Sequence, residues 1–416
     1  MKKIVYCLSA IIPALVMIGC QDKPDVYEFP VDKYFYSIPD VPVTEDYVIA
    51  CPFGTTDSGR WYNKTTELFE LHTGTPVLGG NDILLNYNTK NNHPAVLSQQ
   101  LKWGKQAGVD IFIFSWGGHG WNDTLLTSWG ELYAQDRALP KLVVRFDPGY
   151  RFGQMPGDSL QKRPDLMAPL LNDFDSLYLH VMSKDYYYHD AEGRAVMVLC
   201  NLTNTTNIHN LKAFTDVLRN RPVVNGNLWM IGDLQGNWTS PEYYGYRDAA
   251  TRGVVKGDTI SALDGFYIGD IQTGNKDRYD GFFSFLDFNY SYWQERMKPL
   301  GKEYVPTIFP AFDKLVREPA SSDYVIPRWS EERGHYVISA TEGEEEVRYN
   351  FSEYNPMNHN ECAYKTLANV AKRNVGAHRI IYVNSWNDFR NGNNLEPTVE
   401  IGEDYLNFTR QFFKKP

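Results

Sequence analysis

The 416-residue sequence has few cysteines, and their positions suit neither a disulfide framework nor a metal site. Of the five, Cys7 and Cys20 lie close to the N-terminus, which leaves Cys51, Cys200 and Cys362. An odd number cannot pair completely, and the spacing fits no zinc motif. Cys51 and Cys200 each end an apolar run, so we interpret them as small buried thiols. We therefore predict no metal and no cofactor.

Other absences exclude several classes of protein. The chain has no GxSxG or HExxH motif, and CPFGTTDSG (51–59) does not match a phosphate-binding glycine loop. The formal net charge is -10 and the pI about 5.4, and no cluster of Lys and Arg forms a basic face. These features argue against a nucleic-acid partner. After the N-terminus, no segment is long and apolar enough to cross a membrane.

The first 20 residues, MKKIVYCLSAIIPALVMIGC, have two lysines, an apolar stretch and then Gly19-Cys20. This stretch resembles a bacterial lipoprotein signal with its lipobox, although Met17 replaces the usual leucine. The resemblance implies that residues 1–19 are removed and that Cys20 is lipidated. An ordinary cleaved signal with an incidental cysteine is the alternative. Residues 20–45 are rich in Pro, Asp and Tyr and are interpreted as a tether.

The same resemblance leads to an expected location and to expected partners. We expect an outer-membrane lipoprotein in the envelope of a Gram-negative bacterium, either periplasmic or surface-exposed. The membrane is then one partner through the lipid anchor at Cys20, since attached acyl chains hold a protein to a bilayer. Neighbouring glycan-uptake proteins are candidates for further partners.

Aromatic residues are abundant, with 28 Tyr, 22 Phe and 10 Trp. Flat aromatic faces suit the stacking of sugar rings, although a bulky core would also require them. Eight apolar runs rich in Val, Ile and Phe occur along the chain, and most are apolar on both faces, which is typical of buried parallel strands. They are 47–51, 109–116, 141–147, 194–200, 227–233, 263–270, 304–310 and 379–386.

Segments with helical periodicity follow these runs. They are 93–108, 123–136, 163–187, 208–220, 240–253, 278–301, 359–374 and 402–415. Strict alternation of eight strands and eight helices predicts an α/β protein with a (β/α)8 TIM barrel over residues 46–416. A doubly wound open sheet is the alternative. Long loops are predicted after strand 1 (52–92) and after strand 7 (311–358).

Polar and aromatic residues end several of the predicted strands. In a barrel these ends meet on one face, where catalytic groups are found. Asn and Asp also cap helices, so a single such ending is unremarkable. Many together suit a pocket for a polyhydroxylated ring, and oligo- or polysaccharide is the expected ligand. The candidate substrate-binding residues are Trp116, His119, Asp147, Asp313, Trp386, Asn387 and Asn391.

Several segments resemble glycoside hydrolase family 99, the endo-α-mannosidase and endo-α-mannanase family. SWNDFRNGNNLEP (385–397) resembles the family signature, roughly SxNEWHEGTxIEP. Residues 86–118, LDGFY (263–267) and YVPTIFPAFD (304–313) resemble other family segments in the same order. The similarity is shared in part with family 71 and with lipopolysaccharide-associated glycosyltransferase-like proteins. It implies a barrel and a carbohydrate substrate, such as an α-mannoside.

The resemblance also implies roles for individual residues. In family 99, one carboxylate deprotonates the 2-hydroxyl of the sugar, and a second, three residues later, is the general acid. The first position is Asp388 here, and the second is Asn391, whose amide has no acid proton to donate near neutral pH. Glu396 retains a further glutamate of the signature. We predict Asp388 as a catalytic carboxylate, with Glu396 or Asp270 as its partner.

Three hypotheses for function follow. The first is a lipid-anchored glycoside hydrolase whose acid comes from another rim carboxylate, or whose leaving group needs little protonation. The second is a non-catalytic surface glycan-binding protein on the same barrel, suggested by Asn391. The third is a glycosyltransferase-like protein. The lipoprotein signal argues against this third hypothesis because nucleotide sugars are cytoplasmic.

Overall fold

The structure is a computed structural model of the chain and describes part of it. The described residues are 36–54, 62–63, 68–69, 93–152, 164–200, 211–233, 257–269, 282–312, 328–330, 335–337, 363–389, 391–398 and 402–416. The predicted signal peptide, Cys20 and Cys362 lie outside these ranges. Cys51 and Cys200 are free and buried, which confirms their interpretation as buried thiols.

Parallel strands form one sheet that curls into a barrel. The strands are β1 (Val48–Phe53), β2 (Tyr62–Asn63), β3 (Leu68–Phe69), β4 (Ile111–Trp116), β5 (Lys141–Phe146), β6 (Ala195–Leu199), β7 (Leu228–Asp233), β8 (Gly265–Tyr267), β9 (Glu303–Tyr304), β10 (Thr307–Ile308), β11 (Arg328–Ser330), β12 (His335–Val337) and β13 (Ile380–Val383). Nine of them pair in the order β10-β13-β1-β4-β5-β6-β7-β8-β9. The others form two short antiparallel hairpins, β2–β3 and β11–β12.

The two ends of this sheet are halves of a single strand, which closes the barrel. β9 pairs with β8 and β10 pairs with β13, and only Val305 and Pro306 separate β9 from β10. Pro306 has no N–H to donate, so the ladder is interrupted there. The ring continues through the N–H of Val305, which donates to Phe266 O (2.7 Å), and the N–H of Tyr382, which donates to Pro306 O (3.0 Å). The nine segments therefore make eight strands, and the predicted (β/α)8 barrel is confirmed.

Helices between the strands form the outer layer. They are α1 (His93–Ala107), α2 (Trp121–Gln135), α3 (Gly149–Phe152), α4 (Pro164–Leu177), α5 (Leu211–Arg219), α6 (Gly257–Ala262), α7 (Phe282–Met297), α8 (Ala363–Arg373) and α9 (Asp404–Phe413). In α8, for example, Tyr364, Leu367 and Ala371 recur at helical spacing and are buried, while Lys372 and Arg373 occupy the last turn. This pattern packs one helical face on the barrel and places cations at the negative end of the helix dipole.

Most of the predicted helices are present with ends shifted by a few residues. The segment predicted as a helix over 163–187 is α-helical only to Leu177 and continues as a π-helical turn, Tyr178–Met182. The helix predicted over 240–253 lies outside the described residues, and α6 was not predicted. The long loops predicted over 52–92 and 311–358 contain the two hairpins, and most of their other residues lie outside the described ranges.

The hydrophobic core has two parts, separated by the wall of the barrel. Alternate strand residues, including Ile113, Val143 and Ile231, fill the barrel interior. Their neighbours on the strands, including Phe112 and Val144, pack under the helices in a larger outer core. Both strand faces are therefore buried, which explains why the strand sequences are apolar at nearly every position.

Residues 36–46 lie against the outer helices, although the sequence suggested a tether as far as residue 45. The Tyr36 hydroxyl donates to Asp287 of α7 (2.7 Å), and the Asp40 carboxylate accepts from the Asn369 amide of α8 (2.8 Å). The Lys372 ammonium donates to Val41 O (2.7 Å), and burial lowers the pKa of this lysine to about 8.

Among the described residues, no helix is long and apolar enough to span a bilayer.

A buried ion-pair cluster lies at the end of the barrel where the strands begin. The Glu303 carboxylate contacts His378 Nδ1 (2.5 Å) and accepts from the His378 backbone N–H (3.0 Å). His378 Nε2 lies 3.7 Å from Asp190, which pairs with Arg194 at 2.6 Å. The hydrogen bond to Glu303 raises the pKa of His378 against the opposing effect of burial, and the negative charges of Glu303 and Asp190 raise it further.

This cluster predicts a pH-dependent contribution to stability. Because the folded-state pKa of His378 lies above its unfolded value of about 6.5, the contribution is complete below that value and is lost as the pH rises through the folded pKa. We expect His378→Gln to lower the free energy of unfolding by about 1.5–3 kcal/mol at pH 6 and by less at pH 9. Urea denaturation at the two pH values measures both differences.

The matched control is His180→Gln, because His180 is exposed on the π-helical turn. This variant should unfold like the wild type at both pH values. An equal loss of stability at pH 6 and pH 9 for His378→Gln would show that the protonated imidazole is not what stabilises this end of the barrel.

Candidate active site

One layer of side chains covers the apolar barrel interior at the carboxyl ends of the strands. Side chains alternate along a strand, so the residue two positions after an inward-facing one points to the same side. Applied to the last inward-facing apolar residue of each strand, this rule gives one residue per strand. We call these residues the mouth ring: Pro52, Ser115, Arg145, Cys200, Asp233, Gly269, Thr307 and Asn384.

Solvent exposure begins at the mouth ring. In the layer below it, Ile113 is 3% exposed and Val143 is 1% exposed. In the ring itself Ser115 is exposed, and Arg145 and Asn384 are partly exposed, although all three point inward. In the described part of the barrel, apolar side chains therefore fill the interior below the ring, and polar side chains replace them at the ring.

In the mouth ring a charged side chain, Arg145, lies close to a neutral one, Cys200. Burial raises the pKa of the Cys200 thiol to about 12, although the positive charge of Arg145 opposes the rise. Cys200 is therefore a neutral thiol near pH 7 and not an activated nucleophile. Arg145 remains a fixed cation, because a guanidinium does not deprotonate in proteins.

Hydrogen bonds connect the ring across three further strands. The Gly269 N–H donates to Asp233 Oδ1 (3.2 Å), and the Asn384 amide donates to Gly269 O (2.7 Å). Below them the rings of Tyr267 and Tyr382 stack at 4.5 Å. These contacts hold the ends of β7, β8 and β13 together, so the polar floor of the mouth is largely pre-formed.

The loop after β13, residues 384–396, is attached to both neighbouring strands; we call it the last-strand loop. The N–H of Asn384 donates to Ile308 O (2.8 Å), and the N–H of Trp386 donates to Pro52 O (2.9 Å). The peptide bond between Asn384 and Ser385 is cis. The chain then folds back on itself, because the N–H of Glu396 donates to Trp386 O at 2.8 Å.

Asn387 attaches the last-strand loop to the end of β1. Its Oδ1 accepts from the Gly54 N–H (2.8 Å), and its Nδ2 donates to Gly54 O (2.8 Å). Asn387 is 3% exposed. The sequence predicted a substrate-binding role for Asn387, and the structure instead uses both faces of its amide to bind the backbone of the protein.

Asp388 lies at the mouth with its carboxylate surrounded by amide donors. Asn391 Nδ2 donates to Asp388 Oδ2 (2.7 Å), and the backbone N–H of Asn391 approaches Oδ1 at 3.4 Å. The Asn393 amide, oriented with its nitrogen towards Asp388, lies 3.3 Å from Oδ2. The N–H of Asp388 donates to Ser385 Oγ (2.8 Å). Donors of this kind suit an ionised carboxylate, which only accepts hydrogen bonds.

Glu396, predicted as a partner of Asp388, has a different environment. Its side chain is fully buried, and Oε2 accepts from the Gln100 amide of α1 at 2.9 Å. Helix α1 belongs to the outer layer, so this contact attaches the last-strand loop to the outside of the barrel. The structure does not bring the Glu396 carboxylate to the open surface of the mouth ring.

The two tryptophans predicted to line sugar subsites are also fully buried. Trp116 stacks on Phe146 at 5.8 Å, and Trp386 packs on Phe112 at 4.8 Å. Both indoles belong to the outer core under the helices. Because both indole rings are buried, they stabilise the packing around the mouth and offer no face to a ligand.

His119 and Asp147 follow the carboxyl ends of β4 and β5. His119 is exposed, and its Nδ1 lies 3.1 Å from an oxygen of Asp123. Its Nε2 lies 3.7 Å from Asp173 of α4, so the imidazole faces the outer layer next to α2 and α4. Asp147 follows β5, and its Oδ1 accepts from the Gly149 N–H (2.8 Å) at the start of α3.

Asp270 and Asp313 lie outside the described residues. Within the described part of the chain, no group of three or more His, Cys, Asp and Glu side chains is arranged to hold a metal ion. Arg145, Asp233 and Asn384 were absent from the predicted binding residues, although they form the mouth ring. Counting by twos identifies them once the structure shows which strand residues point inward.

Comparisons with known proteins agree with this architecture. A solved structure described as a glycoside hydrolase-like protein is 19% identical, with a TM-score of 0.65 over 93% of this chain and 99% of its own. The family 99 endo-α-mannosidase from Bacteroides thetaiotaomicron, solved with bis-tris-propane, is 14% identical, with a TM-score of 0.53 over 89% of this chain and 97% of its own. These matches confirm the predicted likeness to family 99 at the level of the fold.

The sequence comparisons are narrower. The family described as Glycosyltransferase WbsX matches residues 344–409, which include β13 and the last-strand loop. A comparison with curated proteins finds no match.

The contact between Asn387 and Gly54 predicts a stability effect. Asn387→Ala removes both hydrogen bonds and leaves two backbone groups without their partner, so we expect a loss of about 1–3 kcal/mol in the free energy of unfolding. Asn387→Asp keeps the acceptor but sets a second oxygen against Gly54 O, and we expect it to destabilise as well. Chemical denaturation measures both variants.

Asn172→Ala is the matched control, since Asn172 is exposed on α4. It should change stability by no more than about 0.5 kcal/mol. If Asn387→Ala is equally neutral, the amide of Asn387 does not hold the loop, and its assignment as a structural contact is wrong.

Proposed function

We propose that this protein is a glycoside hydrolase that cleaves an extracellular glycan in the mouth of the barrel. The observation that carries the proposal is the position of Asp388, which is partly exposed on a loop attached to both neighbouring strands at the carboxyl end of β13. Most glycosidases act through two carboxylates that flank the scissile bond, and Asp388 is the first of the two in this proposal. The fold shared with glycoside hydrolases supports the same class.

Asp388 would act in its ionised form. Amide donors from Asn391 and Asn393 face its carboxylate, and neither can take up a proton from it. This environment favours a base or an electrostatic stabiliser of a positively charged sugar transition state, and it disfavours an acid. The proposal therefore assigns to Asp388 the proton-accepting or charge-stabilising role.

The acid would come from a second carboxylate, for which Asp270 is our proposed candidate. Asp270 directly follows Gly269, whose carbonyl accepts from Asn384 at the start of the last-strand loop. Glu396 is less suited, because its side chain is buried against α1. General acid catalysis typically contributes about 10²–10⁴-fold to the rate, so the acid is essential to hydrolysis of an unactivated glycoside.

A non-catalytic glycan-binding protein is the second candidate. It is favoured by Asn391, which stands at the general-acid position and binds Asp388 at 2.7 Å. A third candidate is a glycosyltransferase-like protein, favoured by the family description that matches residues 344–409. All three candidate functions are compatible with the described structure. The reaction products distinguish a hydrolase from a transferase, and a binding protein forms no product.

We predict that Asp388→Asn lowers hydrolysis about 10²–10⁴-fold and leaves glycan binding within a few-fold of the wild type. The reason is that an amide of the same shape removes the charge without removing the side chain. The assay follows new reducing ends from plant, yeast and host glycans, beginning with α-mannosides. Affinity electrophoresis on the same glycans measures binding.

Glu396→Gln is the matched comparison, because it also replaces a carboxylate of the last-strand loop by its amide. We expect it to reduce stability and to leave the pH profile of hydrolysis unchanged. Binding without new reducing ends in the wild type would establish the second candidate. Turnover of a nucleotide sugar would establish the third, and undiminished hydrolysis by Asp388→Asn would exclude Asp388 as the catalytic carboxylate.

The proposal includes lipid anchoring at Cys20 in the cell envelope, with the barrel outside the cytoplasm. It rests on the N-terminal sequence, which resembles a lipoprotein signal. We expect the wild-type chain expressed in a Gram-negative host to incorporate an alkyne-tagged palmitate and to fractionate with membranes. Cys20→Ser should lose the label, whereas Cys7→Ser should keep it. Label in both variants would contradict anchoring at Cys20.

A further inference from the structure

We propose that the mouth ring binds an acidic group of the glycan, such as a carboxylate, sulfate or phosphate ester, through Arg145. The inference rests on the proposed function and specifies its substrate class. Arg145 is the cation of the mouth ring, and it points inward from the end of β5. Its side chain is partly exposed at the end of the barrel where the strands end.

The charge of Arg145 has no close counter-ion in the described structure. Among the described residues no carboxylate oxygen lies within 4.0 Å of its guanidinium, whereas Arg151, Arg194, Arg219 and Arg221 each pair with an acid. Its buried Nε also lacks a hydrogen-bond partner. A half-buried cation left in this state is costly, and an anionic ligand would supply the missing partner.

The carboxylates around the mouth are bound by other donors. The Gly269 N–H donates to Asp233, the Gly149 N–H donates to Asp147, and the amide of Asn391 donates to Asp388. Asp233 contributes to the electrostatic field at Arg145 from a greater distance. These acids have partners of their own, and within the described ranges none of them forms an ion pair with Arg145.

The chemistry of arginine defines the kind of ligand. A guanidinium presents several N–H donors in one plane and binds carboxylate, sulfate or phosphate through two parallel hydrogen bonds. A neutral sugar would offer only hydroxyls and would leave the positive charge uncompensated. The protein has a net charge of -10, so its overall charge would repel an acidic glycan and the attraction has to be local.

The experiment compares matched neutral and acidic oligosaccharides by calorimetry and by reducing-end release. The pairs are galacto-oligosaccharides against oligogalacturonides, desulfated against sulfated oligosaccharides, and α-manno-oligosaccharides against their phosphorylated forms. We expect the wild type to bind the acidic member of at least one pair about 10- to 100-fold more tightly. Raising the salt concentration should reduce that preference.

Arg145→Gln should remove the preference for the acidic member, and Arg145→Lys should retain part of it, because a lysine keeps the charge without the planar donors. Arg137→Gln is the matched control for the loss of one positive charge, since Arg137 is exposed and pairs with Asp185 on the surface. It should keep the full preference. If Arg145→Gln does not fold, two other results test the proposal. The preference of the wild type for the acidic member should fall as salt is added, and Arg145→Lys should show a weaker preference than the wild type.

Equal binding of neutral and acidic members, or a preference that survives in Arg145→Gln, would overturn this inference. Hydrolysis of neutral glycans in that case leaves the proposed hydrolase intact. A nucleotide sugar that binds through Arg145 in place of any acidic glycan would also overturn it. Neither binding nor cleavage of any glycan would end both proposals.

Discussion

The closure of the barrel by β13 is the constraint on which the rest of the structure depends. β13 pairs with β10 on one side and β1 on the other, and the N–H of Val48 donates to Arg379 O at 3.0 Å. In an open sheet of this strand order, the ends of β8 and β13 would stand near opposite edges. Closure brings Gly269 and Asn384 within hydrogen-bonding distance at 2.7 Å, so distant parts of the chain share a single polar ring.

The last-strand loop uses this closure to hold its polar residues. Backbone N–H groups bind the loop to β10 and β1, Asn387 binds Gly54, and Glu396 accepts from Gln100. Asn387, Asp388 and Glu396 all belong to the segment that resembles the family signature, but their side chains serve two different purposes. Asn387 and Glu396 hold the backbone of the loop in place, and Asp388 is partly exposed.

The sequence was sufficient to predict the barrel, because every parallel strand is buried on both faces and reads as an apolar run. The same property hid the mouth ring, since such runs do not show which residues point inward. Trp116 illustrates the difficulty: it has the same parity as Phe112 and Phe114, which lie in the outer core, so alternation from Ile113 places it outside the barrel. Its position at a strand end suggested a ligand contact instead.

A local motif singles out Asp388 as a candidate, whereas the place of Arg145 in the mouth ring depends on which residues of β5 point inward. The role of Glu396 depends on the last-strand loop folding back towards α1, and no local pattern shows where a loop will fold. The break at Pro306 was visible in the sequence as a proline within an apolar run. The structure shows that this proline divides one barrel strand in two, because β9 and β10 pair with different neighbours.

The most direct test of the account is a crystal structure of the protein with an oligosaccharide fragment bound. The account predicts sugar density above the mouth ring, with one sugar oxygen within hydrogen-bonding distance of Asp388 and an acidic substituent paired with Arg145. A sugar bound elsewhere, with the mouth ring empty or covered by the protein itself, would contradict the claim that the closed barrel builds its site at this end.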